Sequence, residues 1–153
     1  MANTYSQIYI QLVFAVNGRQ SLIQQPWKND LYSYIGGIIK GQQQKSIIIN
    51  GMPDHVHIFA SLDPIISISN LVRDIKSNSS KFVNEKEFVQ KKFSWQGGFG
   101  AFSYGKSQLA TVYDYILNQE SHHKKKSFQQ EYVEFLNRFE IEFNPKYLFE
   151  WID

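Results

Sequence analysis

The order of hydrophobic patterns along the chain predicts an α+β fold with the element order βαββαβ. Four short runs alternate apolar and polar side chains or are rich in β-branched or aromatic residues, which is typical of strands. Two longer segments repeat apolar residues every three or four positions, which is typical of helices that pack on a sheet. This order predicts the ferredoxin-like, split βαβ arrangement, an antiparallel sheet with both helices on one face.

The predicted elements have recognisable boundaries. Pro26 suits the first turn of a helix, residues 51–54 form a turn between two strands, and Asp63-Pro64 ends the second of these strands. The six elements are a strand over residues 7–16, a helix from Pro26 to near Gly41, a strand over 46–50, a strand over 55–62, a helix over about 67–83 and a strand over 99–104.

Composition indicates one folded domain spanning residues 1–153, with a core at about residues 3–105. The hydrophobic content of 42% fits a globule, and the net charge of +2 neither demands nor excludes a polyanionic partner. The absence of cysteine excludes disulfides and thiolate metal sites. No run approaches the roughly 20 apolar residues that cross a membrane. We therefore expect a cytoplasmic protein with no membrane association.

Two histidines on the second strand of the predicted hairpin form the first candidate site. Side chains alternate along a strand, so His55 and His57 project from one face, while Val56 and Ile58 project from the other. Two imidazoles that face one point can hold a divalent metal, which needs at least one further ligand. Taken alone, such a pair is also compatible with ordinary half-exposed surface. Because both predicted helices pack on the other face, we expect the histidine face to be open.

The sequence predicts an additional helix over about residues 107–123. Its apolar side chains form one packing stripe, consisting of Leu109, Val112, Tyr113, Ile116 and Leu117. Tyr115 lies about 130° from the centre of this stripe, and Gln119 follows Tyr115 by one turn. The helical phase therefore predicts that Tyr113 is buried and that Tyr115 and Gln119 are presented together to a metal or a phosphate.

These residues together resemble a known family. The His55-Val56-His57 strand, the segment from Trp95-Gln96 to Phe102-Ser103 and the helix carrying Tyr115 and Gln119 resemble the single-tyrosine HUH transposases of the insertion-sequence-200/605 type, which include repeat-associated tyrosine transposases. The chain length and the predicted element order are also similar. The resemblance implies that Tyr115 is the nucleophile and that the metal ligands are His55, His57 and Gln119.

The resemblance also implies an activity and partners. The family cleaves and rejoins single-stranded DNA through a covalent 5′-phosphotyrosine intermediate with Mg²⁺ or Mn²⁺, which results in DNA transposition. We accordingly expect hairpin or repeat DNA as the partner, a homodimer, and a location in the bacterial cell interior, associated with the nucleoid when DNA is bound. A domesticated, non-catalytic nucleic-acid-binding protein of the same fold and a metal-dependent phosphodiesterase that uses water are the alternatives.

Further residues are candidates for contacts with DNA. The predicted helix over 67–83 carries a polar row at helical spacing, Arg73, Lys76, Ser77 and Ser80. This row could follow a phosphate backbone or could be a solvated face. Trp95 could stack on bases, although a core position is the alternative. The basic run at residues 122–126 is expected to be a solvated helix end or a contact for the DNA backbone.

The last segment, about residues 127–153, contains apolar residues at helical spacing followed by an apolar tail. Such a tail must dock on something if it is to be shielded from water. We expect it to form part of a dimer interface or to cover an edge of the sheet.

Overall fold

The computed structural model of the protein describes residues 3–144 and Leu148. The strands and helices are β1 (Tyr9–Ala15), α1 (Gln25–Gly41), β2 (Lys45–Met52), β3 (His55–Ser61), α2 (Ile68–Glu85), β4 (Gly100–Tyr104), α3 (Leu109–Leu117), α4 (Gln119–His123) and α5 (Phe128–Arg138). The predicted order βαββαβ is confirmed for the first six of these elements.

The four strands form one antiparallel sheet in the order β2-β3-β1-β4, which is the ferredoxin-like order. Strand β3 is therefore internal and is paired on both sides. His57 lies opposite Val13 of β1 and Asn50 of β2. Because both edges of β3 are hydrogen-bonded, the backbone that carries the two histidines is held in place by the sheet.

Helices α1 and α2 cover the sheet face opposite to the histidines, as predicted. Ile58 is fully buried in the main core with Ile35 of α1 and Ile75 of α2. The α2 helix starts where Ser67 accepts a hydrogen bond from the backbone of Asn70, which satisfies one free amide of its first turn. This layer forms the hydrophobic core that supports β3 from behind.

The histidine face is also covered, so the prediction of an open face is wrong. Phe59 of β3 packs against Val112 and Ile116 of α3. Phe128 of α5 stacks on His55 with ring centroids 3.8 Å apart, and Phe135 stacks on Phe102 of β4 at 5.1 Å. The C-terminal segment folds back onto the sheet, which buries both histidines completely.

The predicted helix over 107–123 is interrupted. Asn118 has φ −99° and ψ 30°, which separates α3 from α4. The Asn50 side chain of β2 donates hydrogen bonds to the backbone oxygens of Ile116 and Leu117 at 2.9 and 3.2 Å. In a continuous helix, these backbone oxygens would accept hydrogen bonds from amides about one turn later. The Asn50 side chain takes the place of those amides and holds the start of α4 against the sheet.

The helical phase gave the wrong order of burial for the two tyrosines of α3. Tyr113 is 39% exposed and Leu117 is 52% exposed, whereas Tyr115 is partly buried. Of the five residues in the predicted packing stripe of α3, only Val112 and Ile116 are buried, so the packed side of this helix is narrower than predicted. Helix α5 is a second packing partner for α3, and it covers the side on which Tyr115 lies.

Helix α5 begins with a capping box. Ser127 accepts a hydrogen bond from the backbone of Gln130, whose side chain accepts one from the backbone of Ser127. Most of the predicted apolar tail beyond this helix lies outside the described residues. Within the part of the chain that is described, no helix is long and apolar enough to span a bilayer.

Gly100 allows α5 to approach β4 closely. A Cβ atom at Gly100 would lie 2.8 Å from the Tyr132 hydroxyl oxygen and 3.0 Å from the Phe102 ring. We expect Gly100→Ala to lower the free energy of unfolding by about 1–3 kcal/mol, because the added methyl group overpacks this contact. Urea denaturation measures the effect. Gly97→Ala is the control, since a Cβ atom there meets no atom within 4 Å; equal stabilities of the two variants would contradict the expectation.

Candidate active site

The four residues predicted as nucleophile and metal ligands meet at a fifth residue, Glu131 of α5. His55 and His57 come from β3, Tyr115 from α3 and Gln119 from α4. All four side chains approach the Glu131 carboxylate, which is 3% exposed. One strand and two helices therefore converge on a buried anion that a third helix carries.

One oxygen of the Glu131 carboxylate faces imidazoles. Glu131 Oε1 lies 3.1 Å from His57 Nε2 and 3.6 Å from His55 Nε2. It also lies 3.3 Å from His123 Nε2. His55, His57 and Glu131 offer ligand atoms that are all within 4.8 Å of one another, which is close enough for one metal ion to contact all three.

The other oxygen faces the tyrosine and the glutamine. The Tyr115 hydroxyl donates a hydrogen bond to Glu131 Oε2, and the Gln119 amide Nε2 donates to the same oxygen at 3.2 Å. Gln119 Oε1 lies 3.3 Å from His55 Nε2. The carboxylate thus connects the candidate nucleophile on one side with the candidate metal ligands on the other.

The electrostatics keep this carboxylate ionised and the tyrosine protonated. Burial disfavours the charged form of Glu131, but the neighbouring imidazoles outweigh burial and hold its pKa below the usual range. Burial, followed by the charge of Glu131, raises the pKa of Tyr115. A phenolate at Tyr115 therefore requires a positive charge or a proton acceptor close to its oxygen.

The hydrogen bonds of His55 prepare its Nε2 atom for a cation. Asp54 Oδ1 lies 2.7 Å from His55 Nδ1, so the carboxylate accepts the Nδ1 proton. In the neutral ring, Nε2 then presents a lone pair towards two oxygen atoms, Gln119 Oε1 and Glu131 Oε1. The Nε2 lone pair and these two oxygen atoms can therefore share one cation, either a proton or a metal. Burial alone would lower the pKa of His55, but the hydrogen bond to Asp54 and the nearby charge of Glu131 outweigh it and raise this pKa.

The donor set fits a divalent metal. Two imidazole nitrogens, a carboxylate oxygen and an amide oxygen suit Mn²⁺ and leave coordination positions free for a substrate, and they also accommodate Mg²⁺. His57 Nδ1 lies 2.9 Å from Gln11 Nε2, and the Tyr104 hydroxyl donates to Gln11 Oε1 at 2.7 Å. Rotating this amide by 180° would give the Nδ1 proton an oxygen acceptor, which is the arrangement that a metal at Nε2 requires.

We expect Asp54→Asn to weaken the affinity for Mn²⁺ by about 10- to 100-fold, because a neutral amide raises the basicity of His55 less than a carboxylate does and can also turn its NH₂ group towards Nδ1. Isothermal titration of the purified protein with MnCl₂ measures this. Asp30→Asn, at an exposed position on α1, is the matched control. An Asp54→Asn protein that binds Mn²⁺ with the wild-type affinity would show that this hydrogen bond does not support a metal ligand.

Two neighbouring histidines differ from the sequence-based expectation. His122 and His123 are not part of a solvated basic end. The His122 ring stacks on Tyr115 with centroids 4.4 Å apart, and the His123 ring lies 4.8 Å from the His55 ring. Both side chains line the wall of the site because α4 turns back towards β3 after the break at Asn118.

The predicted DNA-binding residues lie apart from this site. Arg73 and Ser77 are exposed on α2, on the opposite side of the sheet. Lys76 Nζ donates to the backbone oxygens of Gln96 and Gly98, and burial lowers its pKa to about 8. Ser80 donates to the Lys76 backbone oxygen. Lys76 and Ser80 therefore already have partners within the protein. Arg73 Nε lies 3.8 Å from Asp74 Oδ1 at the surface, and a role of Arg73 and Ser77 in phosphate binding stays a prediction.

The proposed stacking of Trp95 on bases is not compatible with its position. The ring is buried and packs edge-on against Phe14 and Phe93 at 4.8 and 5.0 Å. Its Nε1 donates to Ser79 Oγ at 2.9 Å. Trp95 is a core residue that attaches the segment before β4 to α2.

Glu131 was missed at the sequence level, although a signal was present. The apolar stripe of α5 runs through Phe128, Tyr132 and Phe135, and Glu131 occupies a position within that stripe. A carboxylate inside a packing stripe is unusual unless it is paired or binds a cation. The place of Glu131 in this stripe therefore indicated a buried carboxylate, but it did not indicate which residues this carboxylate contacts.

Comparisons with known proteins support the fold and the family. A family model described as IS200-like transposase matches residues 4–119. The structure is similar to that of a candidate transposase from Deinococcus radiodurans R1, with TM-score 0.64, 17% identity, and coverage of 78% of this chain and 95% of that chain. It is also similar to a REP-associated tyrosine transposase bound to a REP hairpin, with TM-score 0.60, 17% identity, and coverage of 80% and 73%. None of the curated proteins compared with the chain matches it.

Proposed function

The chain belongs to the IS200-like transposase family, and we propose that it cleaves and rejoins single-stranded DNA through a covalent 5′-phosphotyrosine intermediate. One observation carries this proposal. The Tyr115 hydroxyl and the imidazoles of His55 and His57 meet at the two oxygens of one buried carboxylate. A nucleophile next to a candidate metal site is a combination that supports phosphodiester cleavage by a tyrosine, because the metal can stabilise charge on the phosphate oxygens.

In the proposed reaction, the Tyr115 oxygen attacks the scissile phosphorus. The new bond joins this oxygen to phosphorus and the bond between phosphorus and the 3′ oxygen breaks. The 3′ oxygen takes up a proton from solvent, so the strand leaves as a 3′-hydroxyl. The hydrogen bond from Tyr115 to Glu131 Oε2 orients the phenol oxygen. The phenol proton passes to solvent as the new bond forms, because the depressed pKa of Glu131 makes this carboxylate a weak base. Attack by a different 3′-hydroxyl on the phosphotyrosine reverses these steps and joins two strands. The phosphotyrosine bond conserves the energy of the broken phosphodiester, so no ATP is needed.

His55, His57 and Gln119 are the proposed metal ligands, and Glu131 adds a fourth. The metal is Mg²⁺ or Mn²⁺, which would neutralise charge on the non-bridging oxygens of the phosphate. The carboxylate contributes a negative charge that the family-based ligand set of two imidazoles and one amide lacks. This addition favours a tightly bound divalent ion over a weakly held one.

The proposed DNA partner is single-stranded and carries a hairpin or a repeat. The similarity to a tyrosine transposase bound to a REP hairpin supports this choice. Arg73 and Ser77 of α2 are exposed and are proposed to contact the phosphate backbone. We further propose a homodimer in the bacterial cytoplasm, associated with the nucleoid through bound DNA.

A denaturing gel tests the proposal directly. The protein is incubated with Mn²⁺ and end-labelled single-stranded DNA that contains candidate hairpins from the region flanking its own gene. A labelled band that migrates with the protein and disappears on addition of EDTA or protease is the expected result. Binding of the same DNA without an adduct would instead favour a non-catalytic nucleic-acid-binding protein, and cleavage without an adduct would favour hydrolysis by water.

A further inference from the structure

A small cavity opens next to Tyr115. Its volume is about 60 Å³, and its lining includes Tyr115, Glu131, Lys126, Glu134, Phe135 and Arg138. Both the candidate nucleophile and the carboxylate that accepts its hydrogen bond therefore reach this cavity. A phosphate group that enters this cavity would therefore come next to the Tyr115 side chain.

The two permanent cations of the cavity differ in their pairing. Lys126 Nζ donates to Glu134 Oε2 at 2.6 Å, so its charge is already matched. Arg138 forms no ion pair with any residue in the described part of the chain. Its guanidinium lies over the Phe135 ring, 5.8 Å from the centroid. Among the described residues that line the cavity, Arg138 thus offers a positive charge that no ion pair engages.

The Phe135 ring links Arg138 to the nucleophile. Phe135 packs edge-on against Tyr115 with centroids 5.7 Å apart, while its face carries the guanidinium. The charge of Arg138 favours the phenolate form of Tyr115, although burial and Glu131 still raise the pKa of this tyrosine overall. It acts in the same direction on Tyr104, whose pKa burial raises to about 12.

We infer that Arg138 binds a non-bridging oxygen of the scissile phosphodiester while Tyr115 attacks the phosphorus. A guanidinium is planar, permanently charged and suited to phosphate oxygens, and its stacking on Phe135 restricts its orientation. Arg138 lies on α5, beyond residues 4–119 that the family model matches. The inference rests on the proposed function, because it assigns a further substrate contact in the same reaction.

Single-turnover adduct formation at saturating DNA and Mn²⁺ tests the inference, together with the DNA dissociation constant. Arg138→Gln is expected to slow adduct formation by about 10- to 100-fold, because a charge-assisted contact to the reacting phosphate is lost. The dissociation constant should change less than about threefold, since many other phosphates hold the DNA. Arg138→Lys keeps the charge and should recover most of the rate.

Lys81→Gln is the control, at an exposed position of α2 on the other side of the sheet. Thermal unfolding of all variants reports on the fold. An Arg138→Gln protein with the wild-type rate would overturn the inference, and so would an equal loss of rate in Arg138→Gln and Arg138→Lys. If the wild-type protein itself forms no adduct, the proposed function is contradicted. If the wild type forms the adduct and the Arg138 variants form it at the same rate, only the role of this arginine is contradicted.

Discussion

Tyr115→Phe is expected to abolish the covalent adduct with single-stranded DNA, lowering its rate of formation by at least about 1,000-fold. The substitution removes only the attacking oxygen. The ring keeps its contacts with His122 and Phe135, so the walls of the site remain in place. The affinity for DNA should change less than about twofold, because one hydroxyl contributes little to binding a polyanion. Denaturing gels and a binding titration measure the two quantities separately.

Tyr113→Phe is the matched control for this prediction. Tyr113 lies two residues earlier on the same helix and is exposed away from Glu131. Its hydroxyl can be removed without altering the site, so adduct formation should continue at the wild-type rate. An adduct that persists in Tyr115→Phe would contradict the assignment of the nucleophile. Strand cleavage that persists in Tyr115→Phe without any adduct would identify water as the attacking group.

The fold was predictable because its signals are local. Alternation over residues 7–16 and 55–62 marks β1 and β3, and the turn at residues 51–54 joins β2 to β3. Once the order βαββαβ is established, few arrangements of four antiparallel strands remain. The positions of His55 and His57 on one face follow from alternation, because β3 pairs with β1 in continuous register from His55 to Ser61.

The surroundings of the site were not predictable in the same way. Whether the histidine face is open or covered depends on α5, which contacts β3 and β4 far away in sequence. The same helix reverses the expected burial of Tyr113 and Tyr115. The helical period identifies which side chains lie on the same side of a helix, but it does not identify which side packs against a second structural element such as α5. The separation of α3 and α4 at Asn118 likewise depends on hydrogen bonds from Asn50, a residue of β2.

Glu131→Gln is expected to weaken Mn²⁺ binding by at least about 100-fold, because the proposed site loses its only anionic ligand. The amide has nearly the same shape, so the packing of α5 on the histidine face should persist. In the wild type, Mn²⁺ bound to the folded state raises the melting temperature. In Glu131→Gln, this increase should be lost at the same Mn²⁺ concentration. Glu85→Gln, at an exposed end of α2, is the control.

The dependence of the free energy of unfolding on pH tests the contribution of the Glu131 carboxylate independently of metal binding. Without metal, the imidazoles hold the pKa of Glu131 below its usual value of 4.5. A group whose pKa is depressed by folding stabilises the protein above its unfolded pKa, and this contribution is lost as the pH falls through the folded value. The wild type should therefore lose its stability advantage over Glu131→Gln in acid. A variant that retains both the full Mn²⁺ shift and the wild-type acid profile would exclude Glu131 as a ligand and leave His55, His57 and Gln119 to hold the metal.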